Sequence, residues 1–393
     1  MSSLPPSVVV SRRGAERVGS GHPWIYRSDV IAADVQPGDL VRVTSERQRP
    51  LGWALWSDQS QISLRMVSVD SVDSAAPADS LWGDRLRAAI DYRATLGIDA
   101  TAYRLVHGEA DRLPALIVDR YDDVLVVQTL CQGMDRRLAE IVAGLVEILQ
   151  PRGVLARNDP KVRRLEGLAE TIAVAYGEVP ERVEIREGRI LHDVDVWHGQ
   201  KTGLFLDQRE NRQVAAGYAR GRALDGFSYH GGFALQLASR CSSVLALESS
   251  SHAVAGLRAG AARNGITNLD AREANVFDEL RELGIAGERF DTIVLDPPAF
   301  AKNKASVEGA VAGYKEINLR ALKLLNPGGH LITCSCSYNI DEPLFLGVLA
   351  AAAADAGVTA AIVEKRLQAR DHPVLLNVPE TYYLKCIVLR KLA

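Results

Sequence analysis

The chain has 393 residues, 47% of them hydrophobic and 24% charged, with a formal net charge of -3. That length predicts two or three domains, and that composition predicts an ordinary globular protein with material for a core in each. No apolar stretch approaches the length of a membrane span, and the small net charge excludes nucleic-acid binding by the whole surface, leaving only local patches.

Residues 1–6 lack a basic segment followed by an apolar one, so no secretory signal is expected. The cysteines, Cys131, Cys241, Cys334, Cys336 and Cys386, are odd in number and irregularly spaced, with no CxxC pair. Neither a disulfide framework nor a metal site is expected, and a cytoplasmic location follows as the default. Residues 7–10, 40–44, 52–55 and 62–67 read as short strands between Gly, Pro and Asp turns, which makes 1–70 a small β domain. The small polar run 69–80 reads as a linker, and a helix follows it with Asp79 or Ser80 as its cap. Strand signals at 103–106, 115–118 and 124–129 precede a helix near 135–149. Residues 183–185 and 190–196 flank a hairpin turn, and this hairpin offers a surface for a homodimer. From about 190 onward, strands at 223–227, 244–248, 271–274, 292–295, 330–334, 361–365 and 383–388 alternate with helices. That alternation predicts a doubly wound, mostly parallel α/β sheet.

The segment from Ala223 to Phe233 combines a strand, a glycine-bearing turn and a helix start. Its spacing is neither GxGxxG nor a P-loop, so neither a dinucleotide nor a triphosphate is favoured. Glu248 ends the next strand, where a carboxylate can accept both hydroxyls of a ribose. A glycine turn with an acidic strand end and no phosphate cradle suits S-adenosylmethionine. Asn275 ends the third strand and suits either an adenine edge or a helix cap. The polar run 201–212 holds Asp207 and Gln208, compatible with cofactor contact and equally with the start of a capped helix.

Two strand ends carry the chemistry. Asp296-Pro297-Pro298 follows one apolar run, and Cys334-Ser335-Cys336 closes another. In an open α/β sheet such ends bind ligands. The two prolines leave backbone carbonyls to accept from an exocyclic amine, and Asp296 can bond a ring nitrogen. A cysteine thiolate adding to pyrimidine carbon 6 makes carbon 5 able to take a sulfonium methyl group. Residue spacing alone leaves open whether Cys334 or Cys336 reacts, or whether both are core cysteines.

Together with His22-Pro23-Trp24, residues 113–121, 201–212, 225–233 and 313–318, and Asp371-His372-Pro373-Val374, these motifs resemble a known family. It is the bacterial large-subunit ribosomal RNA methyltransferases that make 5-methylcytosine. The resemblance implies a PUA-like RNA-binding domain (1–70), a central α+β domain with a β-hairpin (71–190), and a Rossmann-like class I methyltransferase domain with a seven-stranded sheet (191–393). It implies Cys336 as nucleophile and Asp296 as the acid that contacts the base and cofactor. Asp207, Gln208, Asp225, Gly226, Phe227, Ser228, Gly231, Glu248 and Asn275 are the expected cofactor residues. Lys201, Arg209, Pro297 and Pro298 are the expected substrate contacts, and large-subunit ribosomal RNA is the expected partner. Ala299, His230, Asn275 and Tyr338 depart from residues usual in the family. The rival readings are a same-fold enzyme that methylates a base nitrogen, which needs no nucleophile, and a non-catalytic RNA-binding assembly factor. Arg12, Arg13 and Arg17 form the basic cluster best placed in sequence to meet phosphates.

Overall fold

A computed structural model describes residues 6–69, 77–78, 80–301 and 303–392. The opening residues 1–5, the middle of the expected linker (70–76) and the expected cap Asp79 lie outside the described residues. By internal contacts the chain forms two compact units. One comprises 1–186, 193–206 and 371–379, and the other 187–192, 207–370 and 380–393.

The first unit opens with β1 (Ser7–Val10), α1 (Arg12–Gly19), β2 (Trp24–Tyr26), β3 (Val30–Ala33), β4 (Leu40–Ser45), β5 (Pro50–Trp56) and β6 (Ile62–Ser68). The strands form one sheet in the order β2-β6-β5-β4-β1-β3. Alternating Val8, Val10, Val41, Val43 and Leu64 supply its core. Helix α1 was not expected from the sequence, because only Gly14 and Val18 of it are buried. Ser11 caps it by accepting from Gly14 N, as a serine at that position does well. The basic cluster sits on this helix and is engaged: Arg12 with Glu16, Arg13 with Asp29, and Arg17 over the Tyr26 ring.

The same unit continues with α2 (Leu81–Ala94), β7 (Ala102–His107), β8 (Leu116–Tyr121), β9 (Val124–Thr129), α3 (Gln132–Asp135), α4 (Leu138–Leu149), β10 (Gly153–Asn158) and β11 (Thr171–Gly177). These strands pair in the order β11-β10-β9-β8-β7. Ser80 stands at the start of α2 but its side chain makes no capping bond. The helix expected near 135–149 is two pieces, α3 and α4. Leu86 of α2 and Ile141 and Leu145 of α4 pack on Val118 and Val127 of the sheet. The expected hairpin is present as β12 (Arg182–Glu187) and β13 (Ile190–Asp195), turning at Gly188 with φ +58°.

In the second unit α5 (Arg209–Tyr218) precedes β14 (Arg222–Gly226), α6 (Gly232–Ala238), β15 (Ser243–Glu248), α7 (Ser251–Arg263), β16 (Leu269–Glu273), α8 (Val276–Ile285) and β17 (Phe290–Leu295). Then follow α9 (Val307–Leu324), β18 (Leu325–Ser335), α10 (Glu342–Ala356), β19 (Ala360–Arg366) and β20 (Lys385–Lys391). The seven strands expected from the alternating pattern form one sheet in the order β16-β15-β14-β17-β18-β20-β19. β20 runs antiparallel to both its neighbours, and the pairs from β16 to β18 are parallel. The chain winds outward from β14 in one direction and from β17 in the other. The crevice at the carboxyl ends of these two central strands is therefore the switch point where such folds take ligands. Apolar runs such as Ile293, Val294 and Leu295 are wholly buried because helices cover both faces. No helix among the described residues is long and apolar enough to cross a membrane.

Candidate active site

The turn after β14 is held by carboxylates. Asp225 is 1% exposed. Its Oδ2 accepts from Ser228 Oγ at 2.8 Å and from Ala234 N at 2.9 Å, the latter near the start of α6. Its Oδ1 is buried with no hydrogen-bond partner among the described residues. Burial above all, with the charges of Asp296 and Glu248 added, pushes the Asp225 carboxyl up to about 7. Glu248 Oε2 accepts from Tyr229 N at 2.9 Å and its Oε1 from Ser250 N at 2.8 Å, so this glutamate clips the turn from the next strand.

The turn backbone is unusual. Phe227, Tyr229 and Gly231 have φ of +67°, +49° and +83°. A Cβ on Gly231 would stand 2.7 Å from Leu257 Cγ, and one on Gly226 3.0 Å from Leu295 Cδ2. Gly231→Ala combines a left-handed backbone with that overlap. It is expected to cost about 1–3 kcal/mol, read as a lower midpoint in urea unfolding with the slope unchanged. The Phe227 ring lies edge-on to Phe277 (centroids 6.2 Å apart) and Phe300 (6.4 Å), making an apolar wall beside the turn. Asn275 is the N-cap of α8, its Oδ1 accepting from Phe277 N at 2.9 Å. It also stands exposed at the carboxyl side of β16.

Gln208 joins this half of the site to the other. Its Nε2 donates to Asp296 Oδ1 at 2.8 Å, and its Oε1 accepts from Asn211. Asp207 Oδ2 accepts from Tyr383 OH at 2.8 Å. A short 3-10 turn, Leu206–Gln208, leads directly into α5, and Gln208 occupies the cap position without making a side-chain capping bond. Behind it the Arg212 guanidinium forms a buried two-pronged pair with Glu187 and lies against Gly232. Arg209 is also buried, beside Glu210. Lys201 belongs to the other compact unit, where its Nζ lies over the Phe205 ring.

The two strand ends that bear Asp296 and Cys336 are neighbours. β17 and β18 pair in parallel with Leu295 opposite Thr333, which brings Asp296-Pro297 beside Cys334-Ser335-Cys336. β18 ends at Ser335, so the two cysteines part company. Cys334 is fully buried among Val294, Ile332 and Val388 and faces Cys386 across the sheet. Its hydrogen bond with Cys386 and its burial push the thiol well above the ordinary value. Cys336 is only partly buried, and its Sγ donates to the Pro297 carbonyl at 3.8 Å. Pro297 is buried, while Pro298 is exposed.

Tyr314 carries no motif signal of its own as a site residue. It is fully buried in α9, and its hydroxyl lies 3.1 Å from both Ser335 Oγ and Ser337 Oγ. Ser337 Oγ also accepts from Ala301 N at 3.2 Å. One phenol thus ties both serines that flank Cys336. Tyr314→Phe leaves buried serine hydroxyls short of a partner and is expected to cost about 1–2 kcal/mol. A calorimetric scan should show the lower Tm, and the thiol of Cys336 should react less uniformly with a small alkylating agent. The only sequence signal for Tyr314 is its place inside the segment 313–318.

The site therefore offers a buried unpartnered carboxylate oxygen, close backbone approach at a glycine turn, an acidic strand end and an aromatic wall. These fit a cationic nucleoside such as S-adenosylmethionine, with a thiol and a carboxylate on the adjoining strand ends. Among the described residues no group of three or more His, Cys, Asp or Glu side chains could hold a metal ion.

Comparison with known proteins agrees with this fit. Residues 8–69 match a PUA-like domain and residues 139–390 an S-adenosylmethionine-dependent methyltransferase domain. Proteins named ribosomal RNA large subunit methyltransferase I are similar over nearly the whole length. That of Tolumonas auensis is 40% identical over 382 residues, covering 94% of this chain and 95% of the relative. That of Aeromonas hydrophila is 40% identical over 381 residues, with the same coverage. Among solved structures, a candidate SAM-dependent methyltransferase from Streptococcus mutans shares the fold with a TM-score of 0.81 at 20% identity, covering 98% of this chain and all of that one. A further candidate methyltransferase, solved with SAH, gives 0.82 at 21% identity with the same coverage. A domain match over more than half the chain and relatives at this identity carry the same conclusion: the chain belongs to the S-adenosylmethionine-dependent methyltransferases that carry a PUA-like domain, the family of ribosomal RNA large subunit methyltransferase I.

Proposed function

We propose that this methyltransferase makes 5-methylcytosine in large-subunit ribosomal RNA in the cytoplasm, with Cys336 as the nucleophile. The observation that carries the reading is the division between the two cysteines. Cys334 is sealed in the core, whereas Cys336 stands partly open at the strand end, against the Pro297 carbonyl and beside Asp296. A nitrogen methyltransferase has no use for a thiol in that position.

Cys336, as the thiolate, adds to carbon 6 of the cytosine and the C5–C6 electron pair moves to carbon 5. Asp296 bonds the ring nitrogen so that charge does not accumulate on the ring, and the carbonyls of Pro297 and Pro298 receive the exocyclic amine. S-adenosylmethionine supplies the methyl group that carbon 5 takes up. Loss of the C5 proton to a base then lets the carbon–sulfur bond break and returns the thiolate. Asp207, Gln208, Asp225, Gly226, Phe227, Ser228, Gly231, Glu248, Asn275 and Asp296 hold the cofactor, with Lys201 serving the RNA; Arg209, expected as a second substrate contact, is sealed in the interior at 2% exposure and does not reach it. The cytosine must be flipped or lie in a loop to reach the thiol. The domains are read as 1–70 for RNA, 71–190 central and 191–393 catalytic, consistent with the large-subunit RNA named for the relatives.

RNA containing 5-fluorocytosine tests this, because fluorine at carbon 5 cannot leave as a proton does. With cofactor present, a protein–RNA adduct should survive a denaturing gel. Methyl transfer to ordinary RNA without any adduct from the fluorinated RNA would instead assign methylation of a base nitrogen.

A further inference from the structure

A thiol needs a nearby positive charge to be a nucleophile at neutral pH, because a free cysteine ionises only near 8.5. The chain places a buried lysine at this position. Lys385 opens β20 directly across from Ser335, the residue before Cys336, and is 1% exposed. Its Nζ donates to the Ser337 carbonyl at 2.7 Å and to the Tyr383 carbonyl at 2.9 Å. Lys385 is thus bonded to the residue that follows Cys336 and paired in register with the residue that precedes it. An ammonium has three donors, and these two carbonyls use two of them.

We propose that Lys385 is the positioning residue that holds Cys336 as a thiolate. This rests on the reading of Cys336 as the nucleophile. In the ionisation the S–H bond breaks, the electron pair stays on sulfur and the proton passes to water. Lys385 keeps its three protons and forms the pair with the thiolate. Its two carbonyl bonds fix the direction of the charge and hold the Cys336 loop against β20.

The electrostatics around the pair agree. Burial pulls Lys385 down to about 8, while negative charge at Cys336, Asp341 and Glu342 pulls it back up. The Tyr314 phenol is pushed up by burial first and then by negative charge at Cys336. From the end of β17 the charge of Asp296 bears on the neighbouring Cys334 thiol, and Glu342 also binds Lys365 and Tyr382. With Asp341 and Glu342 acidic and the Tyr314 phenol neutral, Lys385 is a buried cation bonded beside Cys336 that can offset a thiolate.

The test is the pH dependence of Cys336 alkylation by iodoacetamide, followed by peptide mass spectrometry on the folded full-length protein without RNA. The expected midpoint lies below about 8.5, the value of a free cysteine. Lys385→Met should slow alkylation at pH 7 by about tenfold or more and move the midpoint above that value, as the loss of an adjacent charge does. Lys385→Arg should restore most of the rate. An unchanged midpoint in a folded Lys385→Met protein overturns the proposal. Should that variant misfold, a midpoint at or above about 8.5 in the unaltered protein overturns it. The readout needs neither RNA nor methyl transfer. An unchanged midpoint with the 5-fluorocytosine adduct still forming removes only the role of Lys385. A lysine-dependent midpoint with no adduct removes only the C5 reaction.

Discussion

Cys336→Ala is expected to abolish the covalent adduct and lower methyl transfer by at least about 10³-fold, the scale seen when a nucleophile is removed from a covalent mechanism. Cofactor affinity should stay within a few fold if the thiol, as proposed, serves the base and not the cofactor. Cys334→Ala is the matched control. Cys334 is buried among Val294, Ile332 and Val388, so its loss leaves a small cavity costing about 1–2 kcal/mol, while the adduct and the rate persist. Single-turnover transfer to ribosomal RNA, run beside the gel, separates the two. A Cys336→Ala protein that methylates at near the normal rate would end the covalent reading. Loss of the adduct in Cys334→Ala alone would transfer the nucleophile to a core residue, against its burial.

Much of this candidate site is legible in the sequence because its polar residues sit where regular structure stops. The runs ending at Leu295 and Ser335 are apolar and β-branched, so they read as buried strands, and the polar residues just after them read as a sheet edge. Asp225, Glu248 and Asn275 were legible for the same reason. Sequence spacing did not separate Cys334 from Cys336, because the two share a face only if the strand continues, and β18 ends between them. Lys385 and Tyr314 were not legible as site residues. A lysine at the start of an apolar strand and a tyrosine within a helix look like ordinary members of their elements, and only the pairing of β20 with β18 and the packing of α9 bring them to the Cys336 loop. Helix α1 and strands β10 and β11 were missed on local pattern. α1 is mostly polar and exposed, β10 is buried along its whole length and β11 exposed along its whole length, so none shows a clean alternation. Asn275 suits both an adenine edge and a helix cap by residue type, and the cap is the role with a hydrogen bond in the structure.

Asp225→Asn is expected to change the pH dependence of folding and to weaken cofactor binding, in opposite senses. Burial raises the carboxyl in the fold to about 7 from 3.8. Below about pH 4 the folded and unfolded chains both hold this proton. Between about 4 and 7 the folded chain keeps a proton that the unfolded chain has released, so raising the pH favours unfolding. Above about 7 both have released it and the loss is complete, at up to roughly 4 kcal/mol for this one group. Asparagine has nothing to titrate, and its carbonyl oxygen can still accept from Ser228 and Ala234. Without cofactor, urea unfolding at pH 5 and pH 8 should therefore show a smaller drop for Asp225→Asn than for the unaltered protein. The cofactor reverses the ranking. The unpartnered Oδ1 suits a cationic donor, and a charge-assisted bond lost there is worth about 10- to 100-fold in affinity at pH 8. In the unaltered protein cofactor affinity should rise with pH up to about 7 as Asp225 ionises, and in the variant that part of the rise should be missing. Calorimetric titration across pH 6 to 8 decides it. Equal pH slopes of affinity in the two proteins would mean that Asp225 shapes the turn through Ser228 and Ala234 without meeting the cofactor's charge.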